Sequence, residues 1–234
     1  MRPGVLFALA AAAATLTAPV ALAPAMAAAQ AQRDWTRTIV ATPEGGFRMG
    51  NPAATLKVVE FVSLTCPHCR NFSIGGQQQL IENYVRGGRV SYELRSHVLN
   101  PVDEVAAVLN RCAAPAAYFA LNDAILSEQP TWFGRLETLT RAEYEAIDSL
   151  PDARRLPRIA ALTGLDAIAA RHGVTASRAR QCLTSPARLA RVRSVRDAAN
   201  REGVQGTPTF TINGRIARDA YDWATLEPLL GAAR

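Results

Sequence analysis

The chain has 234 residues, 26 of them Lys or Arg against 20 Asp or Glu, for a net charge of +6, and 49% are hydrophobic. There is no internal repeat, and no low-complexity tract outside the first thirty residues, which excludes solenoid and largely disordered architectures. Nearly all the positive charge is arginine, and its densest group (Arg188, Arg191, Arg193, Arg196) alternates with Leu189, Val192, Val195 and Ala199, the pattern of a helix with one solvated face rather than a nucleic-acid surface.

The N-terminus reads as a secretory signal over residues 1–31. Arg2 precedes an Ala/Leu/Val-rich stretch from Val5 to Leu22, and small residues offer cleavage after Ala27 or Ala31. The alternative is an uncleaved membrane anchor; the prolines at 19 and 24 argue against it, and no later stretch approaches the ~20 apolar residues a span needs. The exported chain of about 205 residues is long enough for one core domain with an insertion. Arg37–Ala41 and Phe47–Met49 flank Gly45-Gly46 as a small hairpin. Leu56–Leu64 is apolar and β-branched, a buried strand centred on Lys57–Ser63.

Cys66-Pro67-His68-Cys69 stands where that strand meets a helical pattern running from Pro67 to Arg86. Pro67 suits a first helical position, which puts Cys66 at the helix N-terminus, where free N–H groups and the dipole favour a thiolate. Structural zinc requires four ligands, and Cys112 and Cys182 are not a second pair, so a redox-active dithiol needing neither metal nor cofactor is the better reading. Gly87-Gly88 closes the helix. Val90–Ser96 is the next strand, parallel to the first by a right-handed crossover.

Helices are expected over Val102–Ala113, Pro115–Ser127, Arg141–Leu150, Arg158–His172, Ala176–Leu183 and Pro186–Gly203. Trp132-Phe133, after Pro130, either packs this region or lines a groove. Cys112 follows Val105, Val108 and Leu109 at helical spacing on an inward face. With CPHC claiming two of four cysteines, Cys112 and Cys182 remain to form a structural disulfide across the insertion, or stand as two buried thiols. Gly206-Thr207-Pro208-Thr209 then leads into strand Thr209–Ile212, a turn at Asn213-Gly214, strand Ile216–Arg218 and a closing helix Tyr221–Ala232.

VVEFVSLTCPHC and GVQGTPTFTING, in this order, resemble the DsbA-like thiol:disulfide oxidoreductases of the thioredoxin superfamily, from about Thr38 onward. The resemblance implies an α/β thioredoxin fold with an inserted all-helical domain: 32–101 and 204–234 for the thioredoxin-like parts, 102–203 for the insertion. It implies a cis proline at Pro208 and a substrate-binding edge at Thr207, Pro208 and Pro67. Cys66 would be the nucleophile, Cys69 the resolving thiol, and His68 a group that stabilises the Cys66 thiolate and so the reduced protein. Glu60, the single charge in its strand and six residues before Cys66, would be a buried acid exchanging a proton with Cys69; a glutamate pointing to water is the alternative.

The implied function is periplasmic: donating a disulfide to unfolded or reduced exported proteins, with reoxidation by a DsbB-like membrane partner, as a monomer that binds no nucleic acid. An isomerase or reductase of DsbG-like type is the alternative, because Thr before the proline is shared with those relatives. The ~30 residues between leader and first core strand leave no room for an N-terminal dimerisation domain, which favours the oxidase. A redox-inactive chaperone would not need an intact CPHC. His97 and His172 receive no role.

Overall fold

The computed structural model describes residues 33–232, so the expected signal segment lies outside the described residues. Six strands form one sheet in the order β1-β2-β4-β3-β5-β6: β1 Ile39–Ala41, β2 Phe47–Gly50, β3 Leu56–Val62, β4 Val90–Ser96, β5 Thr209–Ile212 and β6 Arg215–Ile216. Only β3 and β4 run parallel, as a strand–helix–strand crossover requires. The leading hairpin is shorter than expected, because Trp35–Arg37 turns as a 3₁₀ helix capped by Asp34 instead of extending.

The helix after β3 runs from Pro67 to Val85 as α1 (Pro67–Phe72) and α2 (Gln78–Leu80), with π-helical turns at Ser73–Gln77 and Ile81–Val85. The first π turn contains Gly75-Gly76, which least resists departure from regular α geometry. Gly76 also lets the last helix, α11 (Trp223–Ala232), approach: a Cβ there would lie 2.8 Å from the Phe72 ring and 2.9 Å from Trp223 Cβ.

Between β4 and β5 the chain is all helical: α3 Pro101–Asn110, α4 Tyr118–Ser127, α5 Gln129–Glu137, α6 Arg141–Asp148, α7 Asp152–Thr163, α8 Leu165–Arg171, α9 Ala176–Leu183 and α10 Pro186–Arg201. Three differences from the sequence reading have local causes. Helix α5 was not expected; Pro130 sits in its first turn, where the missing N–H is harmless. Helix α7 starts at Asp152 and carries Pro157 inside it. The carbonyl freed four residues back belongs to Ala153 on the exposed face of the helix, while Leu156, Ile159 and Ala160 bury the other face. Helices α7 and α8 are separate because Gly164 turns the chain at φ 74°.

One hydrophobic core runs from the sheet through the insertion, joining Val58, Tyr92, Leu94 and Phe72 to Val105, Leu109, Leu121, Trp132 and Ile168. Trp132 is part of it, its indole N–H donating to the Ile125 carbonyl at 2.7 Å. The insertion therefore shares its core with the sheet.

Candidate active site

Strand β3 delivers Glu60 to the sheet's covered face, opposite Leu94 of β4 and Phe210 of β5. Since β3 is central, Glu60 is 1% exposed, and the water-facing alternative does not apply. Tyr92, two residues before Leu94 and on the same face, donates its hydroxyl to Glu60 Oε2. Burial pushes the Glu60 carboxyl up to about 8, against the lowering effect of the Tyr92 hydrogen bond.

The chain leaves β3 through a turn held by the insertion. Asp103 in the first turn of α3 accepts the Leu64 N–H at 2.8 Å and the Leu99 N–H at 3.0 Å. Asn100 donates to Thr65 Oγ1 at 3.0 Å, and Gln129 donates to the Leu64 and Cys66 carbonyls at 2.8 and 3.2 Å. Burial raises the Asp103 carboxyl to about 6. Sequence reasoning missed Tyr92, Asp103 and Gln129. Asp103 reads as an ordinary first-turn acid, and nothing local marks the other two.

Cys66 caps α1 with extended geometry (φ −85°, ψ 123°) and Pro67 begins the helix. The cysteines are reduced, and the Cys66 thiol lies 3.2 Å from the Thr207 carbonyl, to which it donates. The Thr207–Pro208 peptide is cis. The Cys66 thiol is lowered to about 5, above all because the Cys69 thiol hydrogen-bonds to it, with further hydrogen bonds from Thr207 and the amides of Cys69 and His68 opposing the cost of burial. Cys69 is wholly buried, and burial holds its thiol well above the ordinary range.

The structure thus brings together Glu60, Cys66, Cys69, Thr207 and Pro208. Pro67 and His68 are exposed at the rim. The imidazole of His68 makes no hydrogen bond to Cys66; what reaches the sulfur from that residue is its backbone N–H. The imidazole lines an open groove of about 460 Å³ together with Asn71, Phe72, Gly76, Tyr221 and Trp223. Cys112 and Cys182 lie apart from this site. They are disulfide-bonded within the insertion, Cα atoms 6.2 Å apart and both buried.

A low thiol at a helix start, a high thiol one turn inside, a buried acid beneath and a Thr-Pro edge across the sulfur make a dithiol–disulfide exchange site. A family profile described as Thioredoxin matches residues 42–232. The chain belongs to the thioredoxin family. Among solved thioredoxin-family structures it is similar to a protein-disulfide isomerase from Novosphingobium aromaticivorans, at 34% identity and TM-score 0.75, covering 80% of this chain and 96% of that one. Wolbachia pipientis alpha-DsbA1 shares the fold at 23% identity and TM-score 0.58, over 80% and 89%. A Rickettsia bellii protein provisionally named a protein-disulfide oxidoreductase is 29% identical over 143 residues, 54% of this chain and 55% of its own. The chain thus spans about half the length of that relative. The fold is the thioredoxin fold with an all-helical insertion between β4 and β5.

Proposed function

We propose that this chain is a periplasmic thiol:disulfide oxidoreductase that donates its Cys66–Cys69 disulfide to exported proteins. The single observation that carries the reading is the placement of the cysteines: Cys66 caps α1 against the Thr207 carbonyl, while Cys69 is wholly buried one turn inside, which lowers the first thiol to about 5 and raises the second. A client thiolate attacks Cys66 Sγ; the electron pair of the Cys66–Cys69 bond leaves on Cys69 Sγ, which takes a proton from Glu60. A second client thiolate then attacks the client sulfur of the mixed disulfide, and Cys66 departs as a stabilised thiolate. Stabilising that thiolate makes the disulfide more oxidising.

The client's main chain is read at Thr207 as an added strand, and its apolar side chains are received by the groove beside His68 and the exposed Ile74 and Tyr221. The segment at 1–31 is the export signal, and a DsbB-like membrane protein withdraws the electrons.

A second reading, an isomerase kept reduced, is favoured by two observations: the Novosphingobium relative is named a protein-disulfide isomerase, and Thr precedes Pro208. The equilibrium potential of the Cys66–Cys69 pair in glutathione buffers, followed by Trp fluorescence, separates the two. A value well above the glutathione pool supports donation; one near the thioredoxin value of about −270 mV replaces it with the reduced, isomerising role.

A further inference from the structure

Beneath the exchange site, four side chains from four elements form one hydrogen-bonded row, three of them buried and the fourth, Asp123, half-buried. Tyr92 of β4 donates to Glu60 of β3. Gln77, at the end of the π turn, is 3% exposed and reaches between sheet and insertion, with its Oε1 3.4 Å from the Tyr92 hydroxyl and its Nε2 donating to Asp123 Oδ1 at 2.7 Å. Asp123 lies on α4 of the insertion and also accepts from Ser73 Oγ at 3.3 Å.

The donor count fixes how this row behaves. A carboxylate only accepts, so Asp123 forces the Gln77 amide to present its N–H₂ outward and its oxygen toward Tyr92. The Tyr92 hydroxyl has one proton and two acceptors. With Glu60 ionised, that proton points at Glu60. With Glu60 protonated, the carboxyl O–H donates to the Tyr92 oxygen, and the tyrosine proton turns to Gln77 Oε1. The Tyr92 and Glu60 protons each find an acceptor in both states, but the second requires the Gln77 oxygen to be where Asp123 holds it.

We propose that Asp123 is a positioning residue for proton transfer at the exchange site: through Gln77 and Tyr92, it keeps Glu60 ready to donate to Cys69. The inference rests on the reading of Glu60 as the proton partner of Cys69. In the step itself, Cys69 leaves the disulfide as a thiolate, Glu60 gives it the carboxyl proton, and Tyr92 swings its O–H from Gln77 to the new carboxylate. The negative charge of Asp123 acts in the same direction, disfavouring the Glu60 carboxylate. The other groups facing Glu60 are Cys66 and Cys69 of α1 and Tyr92 of β4. No arginine or lysine pairs with Glu60 among the described residues.

The test is an infrared titration of the reduced full chain, following the carboxylic-acid band that disappears in Glu60→Gln. Asp123→Asn keeps the shape of the side chain, removes its charge and frees the Gln77 amide to turn, so the Glu60 midpoint falls by about one pH unit. Gln77→Leu removes the acceptor and shifts the midpoint in the same direction. Tyr92→Phe removes the donor to the carboxylate and shifts it upward. A merely structural role does not produce opposite signs within one network. An unchanged midpoint in folded Asp123→Asn overturns the proposal, as does a downward shift in Tyr92→Phe. The titration reads Glu60 directly, so it stands whether or not the potential of the cysteine pair favours donation.

Discussion

At the scale of single residues, the two cysteines differ in proton affinity because they differ in surroundings, although they are two residues apart in one turn. Cys66 has the Cys69 S–H and two backbone N–H groups aimed at its sulfur, while Cys69 is shut into the core. Between about pH 5 and the much higher Cys69 transition, reduction therefore takes up two electrons and one proton; below about 5 it takes up two protons. The potential of the pair should fall by about 30 mV per pH unit above that break and about twice as steeply below it, since a tenfold change is about 30 mV for a two-electron couple. Potentials measured in redox buffers across this range check it; the steeper slope of about 60 mV per pH unit persisting to neutral pH would mean that Cys66 is not a thiolate there.

At the scale of elements, the insertion has two jobs. Helices α3 and α5 hold the turn before Cys66 through Asp103 and Gln129, and α4 brings Asp123 to the row under the site. The Cys112–Cys182 disulfide, closing 70 residues of sequence, ties α3's C-terminal end to α9. On the chain-entropy account a loop of that length contributes about 4 kcal/mol. Replacing both cysteines with serine should lower the unfolding free energy by up to that amount in urea titrations. The Cys66 thiolate absorbance should titrate unchanged, because the bridge lies apart from the exchange site. A shift in that titration would show that the bridge also sets the active-site geometry.

At the scale of the whole molecule, Glu60 makes global stability depend on pH. Its folded value of about 8 lies above the ordinary 4.5, so its contribution is fully present below about pH 4.5 and is lost as pH rises through about 8. Over that window the loss is about 5 kcal/mol. Glu60→Gln should abolish this slope, leaving the variant more stable than the parent at alkaline pH when both are held in the same redox state. Denaturation midpoints over that range measure it; parallel curves for the two proteins would place Glu60 in water.

Much of this was legible in the chain itself. CPHC after an apolar strand, Thr-Pro before another and a lone acid inside the first strand are local patterns, and the core strand positions, the helix start and a buried glutamate follow from local propensity and from the cost of an unpaired charge. Helix α5 and the start of α7 were hidden because proline is tolerated where its missing N–H costs nothing or its freed carbonyl lies on an exposed face, and neither condition shows in sequence. The partners of the site were hidden for a different reason. Tyr92, Gln77, Asp103, Asp123 and Gln129 lie in five segments between 77 and 129, each unremarkable on its own. They become functional only because the parallel β3–β4 pairing, a π turn and the insertion fold them against one buried carboxyl and one thiol. Sequence determined which groups react, because reactivity begins with residue type and local backbone; tertiary structure alone decided what tunes them, because burial and hydrogen bonding join residues that the chain keeps apart.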